Sequence, residues 1–299
     1  MTQEKFATSR RSVLAGLAGV ALMGAVPAMS QPSPAAERIS IKTATGRMVE
    51  VHRWAAKGGV QRGRILFSHG ALSAPWKYLS LVEAWANAGY EVLAPLHVDS
   101  TDHPERAAFP GLASWPARIE DVRAVADHIG GPYIAAGHSY GGLIALCLGG
   151  ASPAVPDTVK KPLRDPRALA VVAFSPPGGG TGLVNAGDYA GLAVPALIQT
   201  GDRDVPPGGN ADWRSHLLPY DEAAPGGNRY ALVLAGVDHY FGGCICRPEL
   251  PGPKQEEALA TATSVSILFM RAYGGKDAGA LQVLQNRLTS SGPAVLTLK

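Results

Sequence analysis

The sequence predicts an α/β protein: a mostly parallel central sheet flanked by helices on both faces, with an antiparallel hairpin near its N-terminal end. Three observations carry this. Six short apolar runs, "GRILFSHG", "YEVLAPLH", "PYIAAGHS", "ALAVVAFSPP", "VPALIQTGD" and "RYALVLAGVDH", each end in Gly, Pro, Ser, Asp or His. Continuous runs of this length suit strands covered on both faces. Helical patterns lie between several of them, and strand alternating with helix marks a parallel sheet wrapped by helices. Finally, 299 residues with 46% hydrophobic content are enough to bury one large core.

The first thirty residues stand apart. "TSRRSVLAGLAGVALMGAVPAMSQPSP" holds an arginine pair, an uncharged apolar run from Val13 to Val26, and small residues before a Pro/Ser-rich stretch. The run is shorter than the ~18 to 20 residues that span a bilayer, so it reads as a cleaved export signal, not an anchor. Ser9-Arg10-Arg11 followed by Val13-Leu14 resembles the twin-arginine type of bacterial export signal, and an ordinary Sec signal is the competing reading. Cleavage after Ala28 or after Ser30 fits the small-residue rule. Residues 31–299 are then expected to form a single domain in a periplasmic or secreted protein.

Past the signal, "RISIKTATGRMVEVHRWAA" contains two β-like runs joined by Ala44-Thr45-Gly46, an antiparallel hairpin. Helices are expected in "KYLSLVEAWANAG", "WPARIEDVRAVADHIG", "YGGLIALCLGG" and "KQEEALATATSVSILFMRAYGG". Pro/Gly-rich stretches at Ala151–Pro166 and Ser175–Gly191 read as surface connections. The formal charge is only +3, and no basic patch recruits nucleic acid. Three cysteines are too few for a disulfide framework. Cys147 reads as a small buried hydrophobe, while Cys244 and Cys246 are spaced to close a small strained loop.

"YIAAGHSYGGLIAL" raises the question of chemistry. Gly137-His138-Ser139-Tyr140-Gly141 fits G-x-S-x-G where a strand run hands over to a helix run, the context that pattern requires. A serine hydroxyl needs a base to take its proton, and the base needs a carboxylate to fix its tautomer. In this architecture acid and histidine follow the serine in that order, each past a later strand. "VPALIQTGDRDVPP" offers Asp202 and Asp204, and "RYALVLAGVDHYFGG" offers Asp238 and His239. Negative charge developing on an attacked carbonyl oxygen needs donors already aimed at it. The backbone amide of Tyr140 at the helix start is one. The loop "FSHGALS" after the first parallel strand supplies the other, from Ala71 or its neighbour Leu72.

From "SHG" at Ser68–Gly70, "GHSYGG", "DPRALAVVAFSPPG", "GDRDVPP" and "GVDHYFGG", the chain resembles the α/β-hydrolase superfamily, and within it the cap-less serine esterases related to dienelactone hydrolase. The resemblance covers roughly residues 65–273. It implies the α/β-hydrolase fold and a catalytic triad of Ser139, Asp204 and His239, since the acid of such families sits two residues beyond the GD of a G-D-x-D turn. It also implies Ala71 at the superfamily's H-G-x position. No cofactor is implied.

Other residues have plainer readings. His138 and His69 are expected to pack or hydrogen-bond locally, and His52, His128 and His216 to lie on the surface. His97, Asp99, Asp102 and His103 in "LHVDSTDHPE" are a dense set of possible zinc ligands. They miss the dinuclear H-x-H-x-D-H spacing, so a loop over the carboxyl edge of the sheet is the preferred reading. Asp238 is a surface residue or a second carboxylate beside the base. Arg118 and Asp121 at helical spacing form a surface ion pair or a buried link. Phe174–Val194 is Gly-rich and lacks a helical period, so no bulky lid is expected over the site.

The expected function is hydrolysis of small or medium carboxylic esters through an acyl-enzyme, with an ester as the small-molecule partner. Two alternatives are a non-catalytic binding protein of the same shape and a metal-dependent hydrolase built on His97 to His103.

Overall fold

A computed structural model describes residues 36–179, 182–205 and 212–299. The expected export signal lies outside the described residues. The described residues belong to one compact unit. Among the described residues, no helix is long and apolar enough to cross a membrane.

One nine-stranded sheet organises the unit, in the order β1-β2-β4-β3-β5-β6-β7-β8-β9. The hairpin is β1 (Glu37–Lys42) and β2 (Met48–Trp54), antiparallel to each other, and β2 then pairs antiparallel with β4. The six apolar runs are β3 (Gly63–Ser68), β4 (Tyr90–Pro95), β5 (Tyr133–His138), β6 (Ala168–Phe174), β7 (Ala196–Gly201) and β8 (Arg229–Leu234). All six lie parallel, as continuous apolar composition requires of strands covered on both sides.

The core falls into two clusters, one on each face, and strand parity separates them. Leu66, Ala135 and Val171 join one cluster, while their neighbours Ile65, Phe67, Ile134, Ala136 and Val172 join the other. The first packs under α2 (Ser114–Ile129) and α3 (Tyr140–Gly149); the second packs under α1 (Leu79–Asn87) and α5 (Glu256–Tyr273). Every residue of α3 is buried, consistent with its lack of a polar face.

Among the described α-helices and strands, three go beyond the sequence expectation: α4 (Leu218–Glu222), before β8, and α6 (Ala278–Gln285) and β9 (Ala294–Leu298), which follow α5. Asp277 caps α6 by accepting from the Ala280 amide at 3.0 Å, and β9 closes the far edge of the sheet antiparallel to β8. For function the decisive feature is the order β4-β3-β5. The chain leaves β3 toward one edge and returns to its other side, so the loops after β3 and β5 diverge and open a crevice at the carboxyl ends.

Candidate active site

Ser139 occupies the turn between β5 and α3 with φ 54° and ψ −123°, a backbone conformation that costs a non-glycine residue energy and persists only where surroundings enforce it. The flanking glycines are what allow it. A Cβ on Gly137 would sit 2.1 Å from the Gly141 carbonyl oxygen, and one on Gly141 would sit 1.9 Å from the Ser68 carbonyl oxygen. The turn is held by the Ser139 amide donating to the Phe174 carbonyl at 2.8 Å. The serine is left half-buried and lines a cavity.

The loop after β7 carries Asp204, fully buried, and the loop after β8 carries His239, 4% exposed. His239 Nδ1 lies 2.6 Å from Asp204 Oδ1, while Asp204 Oδ2 accepts from Thr200 Oγ1 at 2.8 Å. Burial opposes the charge of Asp204, but hydrogen bonds from His216 and His239 outweigh it and hold the carboxyl well below its ordinary 3.8. Asp202 is exposed and bonds the Gly236 amide at 2.6 Å, tying two loops together away from the histidine. Of the two acids open in the sequence, Asp204 therefore faces His239.

His138, next to the serine, anchors this histidine. Its Nε2 donates to the His239 carbonyl at 2.9 Å, so its Nδ1 accepts from the Tyr78 hydroxyl at 2.9 Å. The Tyr78 oxygen in turn accepts from the Gly70 amide at 2.9 Å. Burial, then the neighbouring His239, pushes His138 down to about 3, so it stays neutral. One hydrogen-bonded chain thus joins the loop after β3, the serine turn and the loop of His239. No hydrogen bond joins Ser139 Oγ to His239 in this structure; their loops meet through His138.

Ala71 and Tyr140 line the same cavity as Ser139. Tyr140 opens α3, so its amide has no carbonyl one turn back to bond. The Leu72 amide is committed to Asp99 Oδ2 at 3.2 Å, which favours Ala71 as the second donor. Arg118 holds this loop and is not a surface residue. It is fully buried, and its Nε and Nη2 grip the Asp99 carboxylate at 2.7 and 2.9 Å. Its remaining reach goes to the His69 carbonyl at 2.8 Å and the Gly70 carbonyl at 3.1 Å. The guanidinium carbon also stacks 4.5 Å from the centre of the Tyr140 ring. Burial and then Arg118 act on Asp99 in opposite directions, and the arginine wins, holding the carboxyl well below 3.8.

Asp121 is likewise buried, yet its partners are Arg47 and His97 Nδ1, the latter at 2.8 Å, not Arg118. Burial pushes this carboxyl up to about 7 against the pull of Arg47. His97 Nε2 bonds Ser68 Oγ at 2.8 Å, and His69 Nε2 accepts the His97 amide at 3.0 Å. The candidate zinc ligands are thus spent separately: His97 on Asp121 and Ser68, Asp99 on Arg118, Asp102 on Lys77 at 3.3 Å, and His103 on the Glu105 amide at 3.1 Å. Among the described residues, one set of side chains lies close enough to hold an ion: Asp204, His216 and His239, with atoms within 4.8 Å of one another. Their mutual hydrogen bonds already account for that closeness.

Several expectations are corrected. His216 is 4% exposed and contacts Asp204 at 3.1 Å, so it belongs to the site and not to the surface. His52 is fully buried against Trp76, with its Nε2 reaching Glu50 at 2.8 Å. Asp238 neither faces the base nor lies free: it accepts from the amides of Tyr240 and Gly242 and fixes the turn after His239. All three cysteines are free, so Cys244 and Cys246 close no ring.

The cavity measures about 860 Å³. Leu72, Pro104, Phe109, Pro110, Pro177 and Leu183 give it an apolar lining, which Ser139 and Arg106 share. Most of one wall is the segment between β4 and α2, where the "HVDSTDHPE" loop lies. Among the described residues between Phe174 and Val194 there is no helix.

A mostly parallel sheet with a strained serine at a strand-to-helix turn, and an Asp–His pair on later loops, defines a hydrolase-type α/β architecture. The model of the alpha/beta hydrolase family matches residues 65–296, and the chain belongs to that family. Among solved structures it is similar to a putative dienelactone hydrolase from Klebsiella pneumoniae, at 14% identity and a TM-score of 0.56, covering 80% of this chain and 98% of that one. It is also similar to esterase 2 of Thermogutta terrifontis phosphoramylated by tabun, at 18% identity and a TM-score of 0.55, covering 80% and 95%. The Pyrococcus furiosus esterase Pf2001 gives 14% identity and a TM-score of 0.56 over 80% and 92%. No curated protein matches the chain.

Proposed function

We propose that the protein is an exported serine hydrolase that cleaves small or medium carboxylic esters through an acyl-enzyme. The observation that carries this is Ser139 in its strained turn, on the same carboxyl edge as the buried Asp204–His239 pair. Asp204 holds the Nδ1–H of His239, which leaves Nε2 as the acceptor for the serine proton. Ser139 Oγ then bonds to the ester carbonyl carbon, and the oxyanion receives hydrogen bonds from the amides of Ala71 and Tyr140. Collapse of the tetrahedral adduct expels the alcohol, which takes its proton from His239. Water repeats the sequence on the acyl-enzyme, releasing the acid and restoring Ser139.

Similarity to esterases and to a dienelactone hydrolase supports an ester or lactone as the substrate class. The apolar cavity suits an acyl or alcohol group of modest size. Export is carried by the N-terminal sequence, and an N-terminus mapped at Met29 or Gln31 in secreted material is the expected finding.

The test is a panel of soluble chromogenic esters of graded acyl length with wild type and Ser139→Ala. The expected result is turnover greatest for short and medium chains and at least ~10³-fold loss in the variant. Undiminished turnover in folded Ser139→Ala, or activity confined to emulsified long-chain triglycerides, contradicts the proposal.

A further inference from the structure

His216 sits in a short 3-10 turn (Trp213–Leu217) with an acceptor at each ring nitrogen. Its Nδ1 lies 2.7 Å from the Pro176 carbonyl oxygen. Its Nε2 lies 3.1 Å from Asp204 Oδ1 and 3.2 Å from the Asp204 carbonyl oxygen. A neutral imidazole has one N–H and one lone pair, so it would aim that lone pair at an oxygen. An imidazolium donates from both sides and satisfies every contact.

The charged groups around it agree. The Asp204 carboxylate faces the ring directly, and the His239 ring stands 5.6 Å away between centroids. The adjoining α4 (Leu218–Glu222) brings Asp221 and Glu222, but Glu222 is spent on the amides of Gly187 and Tyr189, and the cation acting on Asp221 is Lys299. Arg214, from the same turn, is directed to Asp212 and stacks on Trp213. Among the described residues, the counter-charge in contact with His216 is therefore Asp204. Burial opposes the charged ring, but the hydrogen bond to Asp204 and its charge prevail and raise His216 above its ordinary 6.5.

We propose that His216 is a buried imidazolium that shares the Asp204 carboxylate with His239, acting as a positioning residue for the catalytic acid. The proposal rests on the triad reading above. Asp204 then accepts from three side chains, Thr200 on one oxygen and the two imidazoles on the other, which leaves it a single rotamer. The cation also offsets part of the carboxylate's charge, so the field that Asp204 exerts on His239 is weaker than that of a lone carboxylate.

Two variants separate donor from charge. His216→Gln retains an N–H donor toward Asp204 without the charge, whereas His216→Ala removes both. In nitrogen-15 NMR of the histidine rings at pH 7, the wild type should show one histidine protonated on both nitrogens, and that signal should vanish in His216→Gln. In kcat/KM against pH, His216→Gln should move the acidic limb upward by about one pH unit. His216→Ala should lower kcat about tenfold with KM little changed. A singly protonated, neutral His216 at pH 7 overturns the proposal, as does a His216→Gln variant that is folded by circular dichroism and has an unshifted profile. Turnover surviving in Ser139→Ala would instead defeat the triad reading, so the two failures are distinguishable.

Discussion

Replacing Arg118 with Met should damage stability and turnover together, through one loop. The guanidinium is fully buried and makes four polar contacts of 2.7 to 3.1 Å: two to Asp99, one each to the His69 and Gly70 carbonyls. Met retains the volume but no donor. It leaves the Asp99 carboxylate buried with the Leu72 amide as its remaining partner in the loop. Breaking a buried ion pair from one side costs about 3–5 kcal/mol, a large share of the roughly 5–15 kcal/mol that holds such a domain. In a chain of this size that corresponds to a fall in Tm of roughly 10 °C. Because the released loop carries the Ala71 amide, kcat for a soluble ester should fall about 100-fold. Removing both charges, in Asp99→Leu/Arg118→Met, should recover much of the Tm and none of the kcat. Thermal melts and ester kinetics on the three proteins decide it. A single variant that melts within about 2 °C of wild type with unchanged kcat refutes the reasoning, as does a double variant no more stable than the single.

Gly141→Ala should fold poorly or lose activity, because its new methyl would meet the Ser68 backbone at 1.9 Å, where no flexible side chain can yield; a soluble, fully active variant would contradict the packing described for the turn. Acid stability gives a second check. Asp99 and Asp204 both titrate below their ordinary 3.8 when folded, so the stabilisation they contribute is complete above that value and is lost as pH falls toward their folded values. Urea midpoints should therefore drop steadily below about pH 4, and less steeply in Asp99→Leu/Arg118→Met. A midpoint independent of pH over that range would contradict it.

The parallel strands were legible because each is an unbroken apolar run closed by a turn residue, a signal that survives without knowledge of its neighbours. The glycines around Ser139 were legible for a related reason: a steric demand at fixed spacing leaves a pattern in the sequence. The pairings of charged groups were not. Arg118 with Asp99, and His97 with Asp121, are contacts between loop and helix that no local period encodes. A signal for burial did exist, since Arg118 falls on the same stripe as Val122, Val125 and Ile129 at spacings of four, seven and eleven, all of them buried. His216 was hidden by polar company in "ADWRSHLLPY", and its short 3-10 turn has no amphipathic period. What placed it beside Asp204 is the packing of that turn on β7, which sequence spacing does not report. β9 was likewise too short, and too far beyond α5, to be separated from a tail.

Ser139 is the proposed nucleophile, and covalent labelling measures that directly. Intact-mass analysis and peptide mapping after treatment of folded protein with a fluorophosphonate probe should find one adduct, on Ser139, with ester turnover lost in proportion. Ser139→Ala should take up none, and His239→Ala should label far more slowly. Protein that hydrolyses esters while Ser139 stays unmodified, or that carries the adduct on another residue, would contradict the account.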